Sequence, residues 1–129
     1  MDTGGIREAR GISGCLVCGS CTRVCPSARH GGFVPDEFIG AVDEGREAVG
    51  IWDCLQCRRC SHACPAGIDV AATVQDVRRL YAAAGNAPAK FLRAAETARE
   101  TGASVARSPR IAKQRADLGL PVSAREGSG

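Results

Sequence analysis

The sequence predicts an all-α fold with a helical C-terminal extension, and three observations carry that expectation. Apolar side chains recur at helical spacing over several segments. No convincing alternating strand or hairpin pattern occurs, apart from an ambiguous run from Gly50 to Asp53. One cysteine pattern is written twice, and the linker between the copies has a helical rather than an extended pattern.

The elements follow in chain order. After the first cysteine pattern comes a connector, His30-Gly31-Gly32-Phe33-Val34-Pro35, rich in turn residues. Asp36 to Glu44 then places acidic residues in a first turn and Phe38, Ile39 and Val42 on one face, with Gly45 as the stop. After the second pattern, Asp69 suits an N-cap for a helix through Ala84. Val70, Val74, Val77 and Tyr81 share its apolar face, and Gly85 ends it. A further helix runs from Pro88 to Glu100, striped by Phe91, Leu92, Ala95 and Ala98 and closed by Gly102. Ser108-Pro109 opens a last segment that Gly119 to Pro121 terminates. Residues 1–121 are expected to form a single domain, with a core over about 12–68 and docking helices over about 69–121, and residues 122–129 a disordered tail.

The chemistry lies in the repeat. Cys15-x2-Cys18-x2-Cys21-x3-Cys25-Pro26 recurs as Cys54-x2-Cys57-x2-Cys60-x3-Cys64-Pro65, and these contain all 8 cysteines. Three thiolates at two-residue gaps wrap one cube of iron and sulfide, and in two-cluster proteins the fourth, before proline, ligates the other cube. The pattern therefore implies two 4Fe-4S clusters. The two-cluster rule assigns Cys15, Cys18, Cys21 and Cys64 to the first, and Cys54, Cys57, Cys60 and Cys25 to the second. The simpler arrangement, in which each motif closes its own cluster, stays open at this level. Because metal binding and folding share one free energy, the chain without clusters is expected to be disordered around 12–67.

Two cheaper explanations are weaker. A disulfide framework suits secreted domains, but residues 1–14 are Gly-rich and charged, with no apolar stretch of signal-peptide type. Thiols at two-residue gaps also crowd one spot, whereas bridges gain most by closing longer loops. Structural zinc takes two cysteines per element, and here each element supplies four.

Composition fits a protein held together by cofactors. Aromatic bulk is limited to Trp52, Tyr81 and 3 phenylalanines among 129 residues, while Gly and Ala abound. Residues 1–68 carry 7 basic and 8 acidic side chains, and residues 69–129 carry 10 and 6. Two cubes on eight thiolates add about four negative charges, which leaves a negative cluster half and a positive C-terminal half. No interleaved aromatics or nucleic-acid-binding motif accompany the basic half, so nucleic acid is not the expected partner. No stretch approaches a membrane span, and thiolates committed to iron point to a reducing, cytoplasmic compartment. There is no Ser-His-Asp set, phosphate-cradling loop or carboxylate pair placed for acid-base work, so no catalytic residue is assigned.

The segments Cys15-Leu-Val-Cys-Gly-Ser-Cys-Thr-Arg-Val-Cys-Pro26 and Trp52-Asp-Cys-Leu-Gln-Cys-Arg-Arg-Cys-Ser-His-Ala-Cys-Pro65 closely resemble the small iron-sulfur subunit family of CoB-CoM heterodisulfide reductase. The likeness covers residues 12 to about 81 and continues more weakly to Gly119-Leu120-Pro121. It implies an α-helical ferredoxin fold and an electron-relay subunit of an oxidoreductase, with no catalysis by this chain alone. Electrons would pass from the reductase's flavin- and iron-sulfur-bearing subunit to its catalytic subunit, which reduces the coenzyme M-coenzyme B heterodisulfide in methanogens. A hydrogenase or formate dehydrogenase would supply them. The CCG motifs typical of that catalytic subunit are absent here. Relatives also serve other anaerobic redox complexes, and a free dicluster ferredoxin is the competing reading. Such a carrier should have an acidic surface, which the basic C-terminal half does not offer. A third reading makes the clusters, or zinc, mere staples of an interaction module.

Five flanking residues invite roles. Gly19 is either a plain turn glycine or a residue that lets backbone N–H groups approach cluster sulfur. His62 is either a surface residue or a hydrogen-bond donor to the second cluster. Trp52 is either a packing wedge shielding that cluster or a residue with a direct electron-transfer role. Arg58 and Arg59 read as solvent-facing, or as pairing with an acidic partner surface.

Overall fold

The computed structural model describes residues 2–103 and 109–121. Helices are the only regular structure among them, as the apolar spacing predicts. The chain divides into two compact units, Met1–Ala87 and Pro88–Gly129.

The described residues of the first unit form six helices: α1 (Gly4–Ala9), α2 (Ser20–Arg23), α3 (Pro26–Arg29), α4 (Pro35–Glu44), α5 (Arg59–Ala63) and α6 (Val70–Ala83). Short 3-10 turns at Ile12–Gly14 and Ile51–Asp53 lead into the two cysteine motifs. Helix α4 begins one residue earlier than the sequence suggests, because Pro35 occupies its first turn, where a missing N–H costs nothing. Its buried face is Pro35, Phe38, Ile39, Ala41 and Val42, and Gly45 ends it at φ 70°. Helix α6 is capped as expected: the Asp69 carboxylate accepts the Ala72 N–H at 3.1 Å. It buries Val70, Ala71, Thr73, Val74, Val77 and Tyr81.

One apolar core joins these helices to the cysteines. Ile12, Phe33, Ile39, Ile51, Val74 and Val77 belong to it, together with the buried Cys25 and Cys60. The thiols are thus walls of the core, so losing them would open it to water. Tyr81 finishes the packing with a polar contact, its hydroxyl accepting the Ala48 N–H at 2.9 Å.

Helix α1 has no sequence signature, since six residues carry too little periodicity. Tertiary contacts hold it against α4 and α6. Buried Thr3 donates its hydroxyl to the Val42 carbonyl at 3.3 Å. Arg7 pairs with Asp43 and Arg10 with Asp76, both at 2.7 Å.

In the second unit, α7 (Ala89–Thr101) follows Pro88 and ends at Gly102, whose φ is 73°. None of its residues is buried, and Phe91 and Leu92 stay 43% and 37% exposed. Helix α8 (Pro109–Asp117) is followed by Gly119 at φ 67°. Ser108 and the expected tail over 122–129 lie outside the described residues.

Candidate metal centres

Each cysteine motif is built on the same local frame. Gly11 and Gly50, at φ 62° and 70°, start the 3-10 turns that deliver Cys15 and Cys54. Ile12 and Ile51, one position later, are both buried anchors. The repeat therefore begins four residues before the first cysteine, at a Gly-Ile pair present in both copies. The cysteine spacing alone does not reveal this, although Gly-Ile at the same offset is its signal.

Within each motif two residues adopt the left-handed conformation. The first pair is Val17 and Gln56, at φ 52° and 56°; the second is Gly19 and Arg58, at φ 71° and 64°. Such angles strain any residue other than glycine, and a β-branched one most. The strain turns amides inward: the Val17 N–H donates to Cys15 Sγ and the Gln56 N–H to Cys54 Sγ, each at 3.5 Å. Gly19 is accordingly a residue whose left-handed angle suits glycine, and Arg58 meets the same need at the equivalent place.

Helices α2 and α5 pack against each other and set the two motifs face to face. The result is two hollows. Cys15, Cys18, Cys21 and Cys64 line the first, whose walls include Ile39, Ile68 and Val70. Cys25, Cys54, Cys57 and Cys60 line the second, beside Phe33 and Ala71. The fourth cysteine of each pattern thus lies with the other motif. Cys25 is carried there by its neighbour: the Ser27 hydroxyl donates to the Asp53 carbonyl at 3.0 Å and accepts the Phe33 N–H at 2.9 Å. Gly32 is required at this crossing, because a Cβ would lie 2.4 Å from Ser27 Oγ.

The thiols differ in how readily they ionise. Burial pushes Cys21 and Cys60 up from the ordinary thiol value, with Thr22 and Ser61 hydroxyls acting in the opposite sense. Cys18 is held below it by Ser20, whose Oγ lies 3.3 Å from the sulfur. Only thiolates ligate iron, so metal must displace protons from half-buried Cys21 and buried Cys60, which couples folding to loading. No disulfide joins any two of the eight cysteines.

Other side chains shape the second motif. Arg78, on α6, donates twice to the Ile51 carbonyl, at 2.9 and 2.6 Å, and once to the Cys54 carbonyl at 2.8 Å. Its guanidinium lies 5.4 Å from the centre of the Trp52 ring, and half-buried Trp52 packs against the core. The Ser61 hydroxyl donates to Asp69 at 2.7 Å and accepts the Ala71 N–H at 3.0 Å, tying α5 to the start of α6. Those bonds hold the Asp69 carboxyl below its usual range, Ser61 contributing most and the Ala72 N–H next. Arg58 pairs with Asp69 at 2.9 Å, so it serves this chain's own fold, while Arg59 and His62 are exposed.

Four thiols around each of two hollows, with apolar walls and inward amides, suit a pair of iron-sulfur cubes. This defines an all-α, ferredoxin-like iron-sulfur protein. Residues 11–68 match the family model for the 4Fe-4S dicluster domain. No curated protein matches the chain. The chain carries two 4Fe-4S clusters on eight cysteines, and electron transfer is the work such a domain does. No helix among the described residues is long and apolar enough to cross a membrane.

Proposed function

We propose that this protein is the electron-relay iron-sulfur subunit of a heterodisulfide reductase complex. It would take single electrons from a flavin- and iron-sulfur-bearing subunit and deliver them to the catalytic, CCG-motif subunit that reduces the coenzyme M-coenzyme B heterodisulfide. A hydrogenase or a formate dehydrogenase would be the upstream source. The observation that carries this reading is the pair of four-thiol hollows built by two motifs of that family's type. A 4Fe-4S cube with four thiolate ligands supplies one-electron transfer and offers no open coordination site. We also propose the crossed ligand sets: Cys15, Cys18, Cys21 and Cys64 for one cube, and Cys54, Cys57, Cys60 and Cys25 for the other. The grouping of the thiols in the two hollows supports it.

This chain's own residues then have defined work. The thiolates bind, the Val17 and Gln56 amides orient two of them, and Ile39, Phe33 and Ala71 keep water from the inner sides of the sites. The exposed apolar residues of α7, Phe91 and Leu92, suit contact with a larger partner.

The test is anaerobic purification from the native source, with iron and sulfide analysis, EPR after dithionite reduction, and identification of what co-purifies. About eight irons and eight sulfides per chain, in a complex with a flavoprotein and a CCG-motif protein, is the expected result. Recovery as a lone monomer would sink the relay-subunit reading, and zinc without sulfide would sink the cluster assignment as well.

A further inference from the structure

The two motifs share a backbone but not the side chain at the left-handed position after the first cysteine. In the second motif that residue is Gln56. Its side-chain amide Nε2 lies 3.5 Å from Cys54 Sγ and 3.4 Å from the Ala71 carbonyl oxygen. Gln75 donates from Nε2 to Gln56 Oε1 at 3.1 Å. With its oxygen occupied by Gln75 and its nitrogen facing the Ala71 carbonyl, the amide presents N–H to the sulfur. The backbone N–H of the same residue also reaches that sulfur at 3.5 Å. Cys54 thus receives two donors from one residue.

The first motif has Val17 here, a side chain that cannot donate and is 86% exposed. Its extra sulfur contact comes from elsewhere: Ser20 lies 3.3 Å from Cys18, and Arg23 donates to the Ser20 oxygen at 3.0 Å. Arg59 replaces Ser20 in the second motif. Each thiolate set therefore has its own polar contact, on a different cysteine.

Adding an electron makes a cluster and its thiolates more negative. A donor fixed on a ligand sulfur favours that state and raises the reduction potential. We propose that Gln56 tunes the potential of the cluster ligated by Cys54, raising it, and that Gln75 is the positioning residue that holds its amide in place. The inference rests on the redox reading given above and adds to it the residue that sets one of the two potentials. One electron enters from a reduced flavin or cluster and one leaves to the acceptor, with no covalent change at Gln56.

The experiment is an anaerobic, EPR-monitored redox titration of the full-length, cluster-loaded protein, with iron content measured on each sample. Gln56→Leu should lower one of the two midpoints by about 59 mV, a tenfold change in a one-electron equilibrium. Gln75→Leu should lower the same midpoint by less. Ser20→Ala should lower the other one. Gln56→Asn guards against a folding failure, since Asn tolerates the left-handed backbone while its shorter amide withdraws from the sulfur. It should lower the same midpoint as Gln56→Leu. Variants retaining all their iron with both midpoints unchanged, or with both moved equally, would overturn the inference and leave the relay reading standing. Zinc in place of iron and sulfide would overturn both.

Discussion

Residues 11–26 and 50–65 follow the same backbone course, yet their surroundings differ. Both begin at a left-handed glycine, bury an isoleucine and turn amides onto the first cysteine sulfur. The second copy is then clasped by α6 through Arg78, Gln75 and the Ser61-Asp69 pair. Both copies expose the leucine after the first cysteine, Leu16 at 65% and Leu55 at 68%, but the first follows it with Val17, 86% accessible, where the second has the half-buried Gln56. Thiolate geometry thus belongs to what the copies share, and the local environment of each site belongs to what they do not. A duplicated ligand frame need not produce two equivalent redox centres, because hydrogen bonds and solvent access set the potential.

The comparison can be broken most completely by removing the metal. Chelating iron from the anaerobic protein should abolish hydrogen-exchange protection across residues 12–67 in both copies, since the buried thiols wall the core. Protection surviving in one copy would show that its fold stands without a cluster.

A smaller perturbation separates the two sites. Cys25→Ser should cost the cluster held by Cys54, Cys57 and Cys60, and Cys64→Ser the one held by Cys15, Cys18 and Cys21, each leaving about four irons per chain. Site-resolved spectra showing the loss in the mutated motif itself would refute the crossed assignment.

Arg78→Ala should act on the second copy alone. It removes three hydrogen bonds to the Ile51 and Cys54 carbonyls and the guanidinium above Trp52. Leaving those carbonyls poorly satisfied costs about 1–3 kcal/mol. Thermal melts should show that loss, and the second cluster should bleach first in air. Equal bleaching of both would mean that Arg78 supports the whole unit and not one site.

The smallest effect should come from Val17→Gly. A β-branched residue at φ 52° carries strain of roughly 1–2 kcal/mol, partly offset by the roughly 0.5–1 kcal/mol entropic cost of glycine. A net stabilisation of about 0.5–1 kcal/mol is expected from denaturant melts of the loaded protein. A destabilised variant would show that the exposed valine side chain contributes packing that the strain hides.

Much of the fold was legible because long elements have periodicity and punctuation. Pro35 and Gly45 around Phe38, Ile39 and Val42, or Asp69 and Gly85 around Val70 to Tyr81, mark their helices in one dimension. Helices α1, α2, α3 and α5 were not legible, because four to six residues contain no usable period. At the site, the cysteines announced themselves, while Arg78, Gln56, Gln75, Ser27 and Ser61 did not. Each of these acts through a contact with residues 10 or more positions away, and nothing in a single sequence marks such a contact. Among the flanking residues singled out by position, Trp52 is packed as expected and His62 lies exposed on α5.

By itself, then, the sequence determined the helical class, the number of thiolates and the clusters they carry. Those depend on residue type and local spacing, which are properties of the chain read in order. Only the tertiary structure decided which thiols share a hollow, which carbonyls Arg78 holds and which sulfur meets the Gln56 amide. Those depend on where α6 and the Ser27-Asp53 contact place distant segments, and a few ångströms there separate a donor that touches sulfur from one that does not.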